Sequence, residues 1–197
     1  MSDHSLSNTE DAPIPNLQRL AYKFRGHLVC LPLLVAIFCT WHEYENQPVV
    51  WTSAGIVFGL GLFVRIWAQQ HLRFRITRNM ILTRTGPYAL MRNPIYVGNT
   101  LICVGLVIAS ELLWLVPIML LVCMGTYALV VRHEERKLTR VYGEPYLEFL
   151  REVPRWFPKW QPSYRPEWIT DQLRPSIRAE VYNLLLLIPF ILKELFL

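Results

Sequence analysis

Two clusters in this 197-residue chain combine the side chains that chemistry needs. The first, Met80–Asn99, reads MILTRTGPYALMRNPIYVGN, and the second, His133–Tyr146, reads HEERKLTRVYGEPY. In the first, Gly86–Pro87 reads as a turn and Asn93–Pro94 as a helix start. Pro94 is pre-set for the first helical position and Asn93 is a candidate N-cap. A helix start offers free backbone N–H groups to an anionic group. Tyr88 and Tyr96 add flat faces with polar tips. In the second cluster Glu134 and Glu135 are paired carboxylates, suited to ribose hydroxyls or to a cationic ligand. Each cluster also has an ordinary reading. Turns, caps and interfacial tyrosines are common in membrane proteins, and Glu134 with Lys137 forms an i,i+3 pair on a solvated helical face.

The elements that must position these residues are apolar. Hydrophobic residues make up 53% of the chain and charged residues only 18%. A soluble domain carries about 25% charged residues, so the composition excludes an ordinary water-soluble enzyme. An aromatic content of 13% excludes disorder. The expected fold is an all-α integral membrane protein. It has about four transmembrane helices: the short run Leu28–Trp41, then Val49–His71, Tyr96–Ser110 and Leu112–Val131. The last two are parted only by Glu111 and read as a tight helical hairpin. Gly55 and Gly59, four apart, permit close helix contact. Arg132–Phe149 reads as a charged amphipathic helix broken near Gly143–Pro145. Val181–Leu192 is apolar but short, and contains Pro189. It reads as a helix in the interface or on the bundle, with a fifth span as the alternative. The division is a polar leader over 1–25, two spans over 26–71, a core over 72–160 and a C-terminal extension over 161–197.

The net charge of +5 is placed beside the apolar runs, as a membrane protein requires, and no nucleic-acid partner is expected. Arg19, Lys23 and Arg25, the six arginines from Arg65 to Arg92, and Arg132, Arg136, Lys137 and Arg140 all fall on one side of a four-span model. The opposite loops carry Glu43, Glu45 and Glu111. The positive-inside rule puts the N-terminus and both clusters in the cytoplasm. Cys30, Cys39, Cys103 and Cys123 lie in apolar stretches without a CxxC pair and read as buried apolar residues, so no metal site is expected.

Taken together, the clusters resemble the isoprenylcysteine carboxyl methyltransferase family and its phospholipid methyltransferase relatives. The resemblance rests on Leu82-Thr83-x-x-Gly86-Pro87-Tyr88, then Arg92-Asn93-Pro94-x-Tyr96-x-Gly98, then the hairpin. Glu134-Glu135-x-x-Leu138-x-x-x-Tyr142-Gly143-x-x-Tyr146 and the ending Val153–Pro158 complete it. It covers about Trp67–Lys159. It implies S-adenosylmethionine as cofactor, held on the cytoplasmic side. The corresponding positions are Met80, Ile81, Leu82, Thr83, Tyr88, Arg92, Asn93, Pro94, Tyr96, Glu134 and Glu135. Asn93 stands where a histidine is the commoner form, so a role needing an imidazole is lost there.

Methyl transfer asks for in-line positioning and exclusion of water. An amine or hydroxyl acceptor must also lose a proton, for which Glu135 is the candidate base, with Arg132 as anchor for an anionic acceptor. The acceptor is expected to be lipophilic or at the membrane edge: a prenylcysteine carboxylate, a phospholipid amine, an isoprenoid or sterol-like lipid, or a small thiol. Membrane sterol reductases, which use NADPH, share a similar segment, but Ile95 and Asn99 depart from their pattern. A non-catalytic protein of the same architecture is the third reading.

Overall fold

The computed structural model describes residues 15–41, 46–77 and 81–196. Among these every regular element is helical. Helix α1 spans Asn16–Phe38, α2 Gln47–Thr77, α3 Pro94–Ala109 and α4 Leu115–Tyr142. Three shorter helices follow: α5, Glu144–Glu152; α6, Leu173–Leu185; and α7, Ile188–Phe196. Helices α1, α2 (over Gln47–Leu72) and α4 are long and apolar enough to cross a membrane. Helix α3 has 16 residues. At about 1.5 Å per residue that is roughly 24 Å, somewhat less than a hydrocarbon core. Three to four spans therefore stand, and the all-helical membrane fold expected from the apolar runs is the fold observed.

Several boundaries differ from the sequence reading. Helix α1 begins at Asn16, so the basic residues Arg19, Lys23 and Arg25 ride on it rather than on a leader. The segment expected as a separate amphipathic helix is the end of α4, which runs unbroken from Leu115 through the glutamate pair to Tyr142. It stops at Gly143, whose φ of +60° suits a residue without a side chain. The α3–α4 hairpin is as tight as expected, and its turn holds Glu111 at φ +66°.

The close helix contact is not where the Gly55/Gly59 pair suggested. A Cβ on either glycine would meet nothing within 4 Å. The intimate seam joins α2 to α3 through Gly61, Gly98 and Gly105. A Cβ at Gly61 would fall 2.8 Å from the Ile102 backbone nitrogen, and one at Gly105 2.8 Å from Phe58. Gly98 and Gly105 are seven apart, two helical turns, so they share a face. That spacing, not the four-residue one, lets the backbones meet. Leu106, Val107, Leu112, Leu115, Met119 and Cys123 fill the hairpin, closed over by Phe58 of α2 and Phe190 of α7. Large apolar residues such as Leu31, Phe63 and Leu121 stay exposed, as lipid-facing positions do.

The C-terminal segment turns back over the arginine-rich end of the bundle. Backbone bonds tie Arg92 N to Pro154 O (2.9 Å), Lys159 N to Leu90 O (2.9 Å) and Gly86 N to Arg165 O (3.0 Å). Helix α6 then packs on α2, where Glu180 meets Arg65. Helix α7 continues toward the opposite end. There Lys193 Nζ donates to Ser110 O (3.0 Å) and Gln47 Nε2 to Glu194 Oε1 (2.6 Å). The extension thus packs along the bundle from one end to the other, broken between Leu185 and Ile188.

Candidate active site

Residues 81–92 cross the end of the bundle without regular structure, apart from a 3-10 turn at Gly86–Ala89. Gly86 has φ +63°, and a Cβ there would fall 2.3 Å from His71 Nε2. The buried His71 ring lies between Thr85 Oγ1 (3.0 Å from Nδ1) and Glu167 O (2.9 Å from Nε2). Met80 lies outside the described residues. Ile81 is exposed and Thr83 half-buried. Leu82 and Tyr88 pack against Tyr146, Phe149 and Val153. Burial, and then the charge of Glu134, push the Tyr88 phenol up from its ordinary value.

The two glutamates are adjacent and do different things. Tyr96 Oη donates to Glu134 Oε1 at 2.7 Å. Glu135 is buried and clamps two arginines. Arg155 donates to it twice, Nε to Oε1 at 3.1 Å and Nη2 to Oε2 at 2.6 Å. Arg92 Nη1 lies 3.2 Å from Oε1. A bidentate guanidinium–carboxylate pair is geometrically specific, so this clamp fixes the 92–94 segment and the 153–158 segment against α4. Burial holds the Arg92 guanidinium below its ordinary value, against the opposing pull of Glu135, while the bond to Glu135 raises Arg155. Asn93 precedes α3, but its side chain makes no capping bond. Its Nδ2 donates instead to Arg155 O at 3.2 Å. Pro94 is buried as the first helical residue. Arg132 lies on an exposed part of α4, one turn before Glu135.

Behind Tyr96 a cavity of about 350 Å³ opens between α3 and α4. It is lined by Met91, Tyr96, Leu101, Cys123, Tyr127 and Trp156, among others, and carries no charged group. Beside it, Tyr22 of α1 stacks on His133 (4.8 Å between centroids) and Arg25 lies 4.4 Å over the same Tyr22 ring. Three nitrogens of this region are buried without a hydrogen-bond partner: Arg25 Nη1, Arg92 Nε and His133 Nδ1. Polar nitrogens left without partners at a cleft ask for a partner from a ligand.

The structure thus brings Tyr88, Arg92, Asn93, Tyr96, Glu134 and Glu135 to one end of the α3–α4 hairpin. Sequence reading missed Arg155, Arg25 and His71. Arg155 stood in plain view in VPRWFP, but nothing in that string pairs it with Glu135, 20 residues earlier. Arg25 and His71 act across helices and left no local pattern.

Residues 52–145 match the family model for phospholipid methyltransferase. Over 114 residues the chain is 31% identical to the cobalt-zinc-cadmium resistance protein CzcN of Cupriavidus metallidurans, covering 58% of this chain and 51% of that one. Over 128 residues it is 29% identical to the nickel-cobalt-cadmium resistance protein NccN of Alcaligenes xylosoxydans xylosoxydans, covering 62% and 57%. The chain spans little more than half the length of these curated relatives. No solved structure matches. The part of the chain that matches the phospholipid methyltransferase family, residues 52–145, is the part that holds the hairpin, the seam glycines and the glutamate pair.

Proposed function

We infer that the protein transfers a methyl group from S-adenosylmethionine to a lipophilic acceptor at the membrane edge. The observation that carries this reading is the meeting of an uncharged cavity with a polar cluster at a single residue, Tyr96. Its ring lines the cavity and its hydroxyl holds Glu134. A site with an apolar interior and a few convergent polar groups suits a small amphiphilic ligand.

The residues fit the cofactor. Its amino-acid end carries a carboxylate and an ammonium. The partnerless Nε of Arg92 is a donor for the first, as is His133 Nδ1 in the tautomer that carries its proton there, and Glu134 is an acceptor for the second. Ile81, Leu82, Thr83 and Tyr88 form the adjoining wall for the adenine. The bound cofactor would supply an already activated methyl group, so the chain's own task is to orient and to exclude water. Tyr96 and Met91 sit at the boundary between the two halves. Glu135 is held by both arginines and acts as a positioning residue, tying the Arg92–Pro94 wall to α4. With both oxygens of Glu135 engaged, Glu134 is the nearer proton acceptor for an amine or hydroxyl acceptor. Arg132, exposed on α4, would meet an anionic headgroup from outside.

Detergent-purified protein should bind S-adenosylhomocysteine in calorimetric titration and should not bind NADPH. NADPH binding without S-adenosylhomocysteine binding would transfer the site to a reductase. Binding of neither would leave a non-catalytic relative.

A further inference from the structure

The family match ends at residue 145, yet a chain of contacts leads from beyond it into the cavity wall. Glu180 of α6 is buried, 2% exposed. It holds Arg65 of α2 in a bidentate pair, Nε to Oε2 at 2.7 Å and Nη2 to Oε1 at 3.0 Å. Asn183, one turn on, donates to the same carboxylate. The third arm of the guanidinium, Nη1, donates to Asn99 Oδ1 of α3. The stem of Arg65 lies over Gly98, where a Cβ would fall 2.5 Å from its Cγ. Asn99 lies beside Tyr127. The Tyr127 ring lies 4.9 Å from that of Tyr96, and both rings line the cavity. Glu180, Arg65, Asn99, Tyr127, Tyr96 and Glu134 are therefore contiguous. A second tie runs through the backbone. Glu167 O accepts from Trp67 Nε1 at 2.9 Å and lies 2.9 Å from His71 Nε2, whose ring packs on Gly86.

Ionisable residues within membrane segments are costly, and when present they are paired and functional by default. A pair serving only to staple α6 to α2 would not need the fork of Arg65 to end on the first turns of α3. We propose that the C-terminal arm, residues 165–183, is part of the working site, with Glu180 a positioning residue that acts through Arg65 and Asn99. It sets the first turns of α3 and so the width of the cavity and the place of Tyr96. The proposal rests on the functional reading above only for what the cavity holds.

The test uses the full chain in detergent, with Cys30, Cys39 and Cys103 replaced by alanine. Cys123, which lines the cavity, then reports its closure through its rate of alkylation by N-ethylmaleimide. Glu180→Gln keeps the shape of the arm and removes the charge that faces Arg65. Phe190→Ala empties a buried position of α7 and leaves that pair in place. Glu180→Gln should speed alkylation about tenfold and weaken S-adenosylhomocysteine binding by a similar factor, within the range of coupling between linked sites. Phe190→Ala should lower the melting temperature at least as much, yet leave both readouts nearly unchanged. The charge-swapped pair, Arg65→Glu with Glu180→Arg, should recover part of each. Equal effects from Glu180→Gln and Phe190→Ala on alkylation would overturn the proposal and make the arm a plain support. If the unaltered chain binds no S-adenosylhomocysteine but the alkylation contrast holds, the positioning role stands and the cofactor reading falls.

Discussion

Glu134 and Glu135 are neighbours in sequence and α4 turns them to different partners. A helix advances about 100° per residue, so one carboxylate meets Tyr96 and the other meets Arg92 and Arg155. Their substitutions should therefore separate. Glu134→Gln should weaken S-adenosylhomocysteine by roughly ten- to a hundredfold, the worth of one charge-assisted hydrogen bond at about 1.5–3 kcal/mol, with little change in melting temperature. Glu135→Gln should do the reverse first. Two guanidinium groups lose their shared partner, so stability should fall by about 1–3 kcal/mol, read as an earlier thermal transition. The motif made the pair visible but not this division. Which glutamate faces which helix depends on the phase of α4, and α4 runs from Leu115 rather than from Arg132. Asn93 is a similar case. Its place before a proline marks a helix start correctly, but its amide is drawn to Arg155 O, a partner 62 residues away that no local rule contains.

At the scale of elements, apolar run length sufficed for α2, the hairpin and its turn, because a membrane demands length and little else. The seam between α2 and α3 was not legible in the same way. Glycine spacing marks residues that permit close approach, and only the partner surface decides which ones are used. Gly105→Ala should destabilise the protein by about 1–3 kcal/mol, since its new methyl would meet the Phe58 backbone nitrogen at 2.8 Å and backbone cannot step aside. Gly55→Ala and Gly59→Ala open onto empty space and should shift stability by no more than about 0.5 kcal/mol. Thermal unfolding of the three variants in one detergent checks the order. A larger loss at Gly55 than at Gly105 would mean that α2 presents its other face to the protein.

For the whole molecule, the basic residues of α1, the 81–92 segment and the end of α4 lie at the same end of the bundle as the polar cluster. Thiol labelling in intact cells should leave a cysteine placed at Trp160, itself 98% exposed, unreactive to an impermeant reagent, while one at Asn46 reacts. Labelling of Trp160→Cys alone would invert the topology. The sequence showed an apolar helix over Val181–Leu192, in the interface or on the bundle, but not that two short helices, α6 and α7, break there and join the two ends. This arm also sets a problem of timing. Arg65 and Glu180 are 115 positions apart in the chain. At roughly 5–20 residues per second of synthesis, about 6–23 s separate the arrival of the two. During that interval α2 has a guanidinium near the bilayer edge and no carboxylate to receive it. The nascent protein therefore passes through a half-made state, and in every finished molecule the arginine has been claimed by a residue made long after it.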